Sequence, residues 1–205
     1  MQPTWAHLRL RQAKGKPLPD MLVTPTAGFT TIELIVVVAI LAVLASLAAP
    51  SFMPIIERWR VRQTIEGLQS TLYYARSEAI KRGGKVVLQK NPNNTNGCTT
   101  AGGKGDWNCG WFVCEDTNGN GSCDGTEPVL QHFDTQAGIQ VKTCGTPAVG
   151  FNRWGLLEDS HGFNTDLRFA ITPLGKNRSH PAVRGVYMSR YGQVAMSHQP
   201  KTCPN

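Results

Sequence analysis

Residues 28–54 read GFTTIELIVVVAILAVLASLAAPSFMP. The block from Leu34 to Ala49 carries no charge, and Ser46 is its one polar side chain. Phe29 to Met53 is 25 residues, enough as a helix to cross about 30 Å of hydrocarbon. Ahead of it lie Arg9, Arg11, Lys14 and Lys16, with Asp20 their only acidic neighbour. A basic flank before an apolar segment marks the cytoplasmic side, so the long C-terminal part is expected to cross the membrane. A secretory signal peptide would place its small-residue cut after the apolar block. No A-x-A follows the block here, although Ala48-Ala49 before Pro50 leaves such a cut compatible with composition.

A plain anchor leaves Glu33 unexplained. A carboxylate in an apolar span costs roughly 2.5–3.5 kcal/mol at the bilayer centre and less near the interface, so it needs a partner or a task. A cut after Gly28 makes Phe29 a new N-terminus and Glu33 the fifth residue of the new chain. Glu33 can then neutralise the α-amine of a neighbouring helix packed with an axial offset, a pairing strengthened by low dielectric. The same contact would set the stagger between subunits.

GFTTIEL resembles the GFTLIEL signature of type IV pilins and of type II secretion pseudopilins. Gly28, Phe29 and Glu33 match its three defining positions, and Thr31 stands where the family most often has Leu. The resemblance implies cleavage after Gly28 by a prepilin peptidase, N-methylation of Phe29, and Glu33 as the assembly carboxylate. It implies other pilins or pseudopilins as partners, inner-membrane anchoring with a periplasmic C-terminal domain, and then a pilus or pseudopilus. A leader of 28 residues is long for the common pilin class; a start at Met21 would give MLVTPTAG but drop the basic residues.

Beyond Pro50 and Pro54, which favour a bend, the pattern changes. Val61, Ile65, Leu68, Leu72, Ala75 and Ala79 step by four and three, one face of a helix. Arg58, Arg60, Arg62, Glu66, Arg76 and Glu78 lie off that face, with the arginine run read as a solvated or membrane-surface face. Gly83-Gly84 supply a stop. Residues 1–28 are therefore read as leader, 29–53 as the transmembrane half of one long helix, 54–82 as its amphipathic half, and 83–205 as a β domain.

Eight short strands are expected in that domain: 85–89, 111–115, 129–133, 139–143, 148–151, 167–171, 183–189 and 193–196, with Gly- and Asn-rich turns between them. The fold class is α+β, a long helix on an antiparallel β domain. NCGWFVCEDTNGNGSCDGTEPVLQ (108–131) resembles the GspH/FimT branch of pilins, implying a minor pilin or a type II secretion pseudopilin.

The 205 residues suit one domain of ordinary size, with mean hydropathy −0.24 and net charge +7. Residues 1–28 hold four basic and one acidic side chain, so the remainder carries +4. All six cysteines (Cys98, Cys109, Cys114, Cys123, Cys144, Cys203) lie beyond the apolar block. An even count there fits disulfides in an oxidising compartment. Zinc is the rival, disfavoured because no C-x2-C or H-x3-5-H pair is present. Spacing does not choose a pairing.

Asp116, Asn118, Asn120, Ser122, Asp124 and Glu127 occupy EF-hand ligand positions, with Gly121 at the sharp turn. Strands rather than helices flank the loop, so an ordinary Asn/Asp turn stands beside a calcium loop. After Asp166 no acidic residue remains; Lys176, Arg178, Arg184 and Arg190 make either a solvated basic surface or a DNA contact. FimT-type pilins associated with DNA uptake in natural transformation carry a C-terminal Gly-Arg-x-Arg, and this chain has Gly192-Gln193-Val194-Ala195 at the matching place. No G-x-S-x-G, H-E-x-x-H, P-loop or dinucleotide motif is present, and His132, His161, His180 and His198 have no partner pattern. An enzyme is not expected.

Overall fold

The computed structural model describes residues 28–158 and 166–200. The chain divides into two units, Met1–Ser46 and Leu47–Asn205. Helix α1, Thr31–Arg82, begins in the first unit and ends in the second. In the first unit its side chains are all exposed. Among the described residues no single helix is long and apolar enough to cross a membrane. Thr31–Leu47 and Phe52–Arg82 pass that test of length and composition only as a pair, with Pro50 between them.

In the second unit the helix is one-sided. Val61, Ile65, Leu68, Leu72, Ala75 and Ala79 are all buried, none more than 4% exposed. The four-three spacing therefore marks the face that meets the β domain. The helix ends as its glycines require. Gly83 and Gly84 have φ of 76° and 101°, and the Gly84 N–H reaches the Ala79 carbonyl at 2.7 Å, the long bond of a Schellman cap.

Two four-stranded antiparallel sheets follow. One is ordered β3-β2-β1-β5 and the other β4-β6-β7-β8. The first contains β1 (Val86–Lys90), β2 (Trp111–Glu115), β3 (Val129–Phe133) and β5 (Ala148–Phe151). The second contains β4 (Ile139–Thr143), β6 (Leu167–Pro173), β7 (Arg184–Met188) and β8 (Val194–Ser197). All eight expected strands exist, with shifted ends at four. Lys85 drops out of β1 because it holds φ 58° and still belongs to the turn. Val183 and Ser189 drop out of β7 because their N–H groups close turns onto His180 and Gln193. The seven-residue β6 runs two residues past its expected end, and β8 is displaced by one residue.

The helix stripe and both sheets share one core: Leu88, Trp111, Val113 and Phe151 from the first, Val141, Phe169, Ile171 and Met188 from the second. Trp111 donates its indole N–H to Thr71 Oγ1 on the helix at 3.1 Å and stacks on Phe133 at 4.6 Å between centroids. Gly67 lets the helix approach that stack, since a Cβ there would sit 2.2 Å from the Phe133 ring. Alanine normally improves a helix by about 1 kcal/mol over glycine; here overpacking, typically about 1–3 kcal/mol, should win. Gly67→Ala is expected to lower the denaturant midpoint of the purified protein. Gly102→Ala, with nothing within 4 Å of its added methyl, should leave it unchanged.

Candidate functional site

The start of α1 is capped. Thr30 Oγ1 accepts the Glu33 N–H at 3.2 Å, and the Thr30 carbonyl accepts the Leu34 N–H at 3.2 Å. Thr30 is thus the N-cap of α1, a local role that the sequence reading missed although the Thr-x-x-Glu spacing was visible. Glu33 also lies in the first turn, where the helix dipole favours an anion. Its side chain is exposed, and Phe29, one residue before the cap, is 83% exposed. Leu34, Ile35, Leu41, Leu44 and Leu47 are exposed in the same way.

The Asp116–Glu127 loop joins β2 to β3 and is tied by a disulfide between Cys114 and Cys123. The expected residues share this loop, and the oxygens of Asp116, Asn120, Asp124 and Glu127 accept hydrogen bonds from within it. Asp116 accepts N–H groups of Gly119 (2.6 Å), Asn120 (3.2 Å) and Gly121 (2.8 Å). Glu127 accepts those of Thr117 (2.7 Å) and Asp124 (2.9 Å). Asp124 accepts the side-chain amides of Asn118 and Asn120 at 2.7 and 2.8 Å, and the Ser122 N–H goes to Asn120 Oδ1 at 2.8 Å. These bonds close the loop on itself as an Asn/Asp turn. Among the described residues no group of three or more His, Cys, Asp or Glu is arranged to hold a metal ion.

A second loop, between β1 and β2, is closed by the Cys98–Cys109 disulfide. Lys90 pins it: its ammonium donates to the carbonyls of Ala101 and Gly103, both at 2.6 Å, and of Asp106 at 3.2 Å. Burial pushes the Lys90 pKa down, with Asp106 acting the other way. No sequence motif announced this cage. Cys144 is also disulfide-bonded, and Cys203 lies outside the described residues.

The four basic residues proposed for DNA are spread along the β6–β7 region. Lys176 and Arg178 line one cleft of about 250 Å³ with Lys142, Gln140 and Asn177, and Lys176 also sits 3.8 Å from Glu57 on the helix. Arg184 donates to the carbonyls of Pro181 and Val183, both at 2.7 Å, beside a groove of about 560 Å³ that also contains Arg58 and Arg62. Arg190 follows the opposite end of β7.

With the geometry in place, comparison with known proteins is direct. The family model for the type II transport protein GspH matches residues 64–190, more than half of the chain. The chain belongs to the GspH family. The match begins within the buried stripe of α1 and ends just after β7, so it rests on the helix–sheet packing rather than on the apolar start. Two fimbrial proteins of Pseudomonas aeruginosa are 37% identical over 68 residues, which is 33% of this chain and 44% of each relative. The aligned segment thus spans under half the length of those relatives. One crystal form of the type IV minor pilin FimU from P. aeruginosa aligns at TM-score 0.51 with 23% identity, covering 70% of this chain and 92% of that one. A second form gives 0.48 and 22%, covering 66% and 91%. The GspH-family chain therefore has the minor-pilin fold, an N-terminal helix packed on an antiparallel β domain.

The Glu127 carboxyl is held below its usual range, chiefly by the Asp124 N–H and further by Asn118 and Thr117. A carboxyl whose pKa is lowered on folding stabilises above its unfolded pKa, about 4.3, and loses that contribution as pH falls through the folded value. The denaturant midpoint of the wild type should therefore fall below about pH 4. In Glu127→Gln it should start lower and fall less, as measured by denaturation from neutral to acidic pH.

Proposed function

We propose that the chain is a minor pilin or pseudopilin subunit of a type IV pilus or type II secretion pseudopilus. It is cut after Gly28 by a prepilin peptidase and methylated at Phe29. Residues 29–53 hold it in the inner membrane, 54–82 carry the periplasmic β domain 83–205, and 1–28 are the leader. The observation that carries this reading is the uncovered apolar surface of α1, which runs from Phe29 through Leu47 and continues at Phe52–Ile56. It is larger than the patches a free monomer ordinarily exposes. Lipid covers such a surface before assembly, and neighbouring helices cover it afterwards.

Glu33 gives that surface its register. Its exposed carboxylate lies in the first helical turn, where the Phe29 amine of a staggered neighbour can reach it. At 4 Å and an effective dielectric constant of about 20 such a pair is worth about 4 kcal/mol. DNA capture, the other reading of the basic residues, has no comparable support. Lys176 and Arg184 lie at one end of β7 and Arg190 follows the other, and Gly192-Gln193-Val194-Ala195 lacks both arginines of the FimT pattern.

Intact-mass analysis of the membrane-extracted protein should find a chain starting at a methylated Phe29. Gly28→Val should abolish the cut and leave the leader attached. Glu33→Ala should still be cut but fail to co-purify with sheared filaments. Normal incorporation of the Glu33→Ala chain would refute the pairing role; an uncut wild type would refute the assignment itself. Deletion scored together for twitching, DNA uptake and protein secretion identifies the machine served.

A further inference from the structure

The helix entry end of the β domain has a composition of its own. Phe52, Met53, Ile55, Ile56 and Trp59 are exposed on α1, Arg58 and Arg60 flank Trp59, and Arg62 follows the buried Val61. The β6–β7 loop, 174–183, lies at the same level. Glu57 Oε1 is 3.8 Å from Lys176 Nζ and its Oε2 is 3.7 Å from His180 Nε2. Arg60 donates to the Ala137 carbonyl at 3.3 Å, and the next carbonyl, Gly138, accepts the Leu174 N–H at 2.8 Å. Leu174 itself is 53% exposed. Leu174, Lys176 and the cleft holding Arg178 and Lys142 are thereby held beside Glu57–Arg60.

Depth follows from helix geometry. Glu57 is four residues past Met53 and Trp59 six, which at 1.5 Å per residue is about 6 and 9 Å. The headgroup layer on each side of the hydrocarbon is about 5–8 Å thick. Glu57 thus falls within that layer and Trp59 just beyond it, and long side chains there, the Trp59 ring and the neighbouring lysines and arginines, reach back to the lipid phosphates.

We propose that the β6–β7 loop rests on the bilayer as a second contact beside the anchor, with Leu174 entering the headgroup region and Lys176 and Arg178, together with Arg58 and Arg60, facing the phosphates of anionic phospholipids. This rests on the reading of residues 29–53 as a membrane anchor. The contact fixes how the domain stands on the membrane before assembly, and entry into a filament has to break it. The surface suits lipid better than nucleic acid because exposed apolar side chains adjoin the basic ones and continue into the anchor.

The full chain is labelled at Leu174→Cys with an environment-sensitive fluorophore, the unsubstituted chain serving as the labelling control. It is reconstituted into nanodiscs of phosphatidylcholine alone or of an equal mixture with phosphatidylglycerol. The expected result is a blue-shifted emission and several-fold weaker iodide quenching in the anionic discs. Both should be lost in a Lys176→Gln/Arg178→Gln background. A probe at Tyr191→Cys, beyond the other end of β7, should respond to neither. Equal signals at position 174 in the two disc types, or no effect of the double substitution, would overturn the proposal while leaving the anchor intact. A response to added duplex DNA without a response to phosphatidylglycerol would assign the surface to nucleic acid instead. Failure of the unlabelled chain to enter discs at all would overturn the anchor reading and this one with it.

Discussion

The contact between the Val61–Ala79 stripe and the two sheets is the constraint on which the β domain depends. Among the described residues, the stripe on α1 and buried side chains of both sheets form one core. Leu68 and Leu72 have no exposed surface, and truncating such a residue to alanine typically costs about 2–5 kcal/mol. Thr71 and Trp111 place a hydrogen bond within this apolar contact, so the indole N–H is satisfied where water is excluded. Gly67 then sets how closely the helix can approach the aromatic pair Trp111–Phe133.

Around that core the loops hold themselves by polar means. The Asp116–Glu127 loop satisfies its backbone N–H groups with its own carboxylates, and the loop between β1 and β2 satisfies three carbonyls with one ammonium. Each also carries a disulfide of short sequence separation, 9 and 11 residues, a loop size for which cross-linking contributes about 2–3 kcal/mol in the chain-entropy account. The end of the helix is held in the same way: Arg82 pairs with Glu78 at 2.8 Å and with Glu115 at the end of β2. The β1–β2 loop adds one apolar anchor to these polar ties, Trp107, which is fully buried against Phe169.

The legible parts of the fold were the local ones. The helix stripe, the glycine stop at Gly83-Gly84 and all eight strands follow from period and turn chemistry, which are properties of neighbouring residues. The division into two sheets did not follow, because β1 pairs with both β2 and the distant β5 while β4 pairs with β6. Those choices are made by packing against the helix. For the same reason, the Lys90 cage and the Gly67–Phe133 contact had no signal in sequence: each depends on residues far apart in the chain. The run without acidic residues after Asp166 carried no information on its neighbours from the helix: Glu57 lies against Lys176 and His180, and Arg184 and Arg190 lie at opposite ends of β7. The Thr30 cap, by contrast, is legible in the Thr-x-x-Glu spacing of residues 30–33.

The two hydrophobic patterns of α1 differ in kind, and the difference bears on what surrounds each. A stripe every three or four residues is what a helix needs when one side meets a sheet and the other meets water. An apolar block without a polar face, such as Leu34–Ala49, fits surroundings that are apolar on every side. The change falls in the stretch that contains Pro50 and Pro54, ahead of the first buried residue, Val61. Between the two lie Arg58 and Arg60 with Trp59, side chains with apolar bodies and polar ends. That order is what a boundary between lipid and water selects along one helix. It gives the proposed anchor and the proposed headgroup contact a common physical origin, with Glu33 the one acid at the start of the apolar segment.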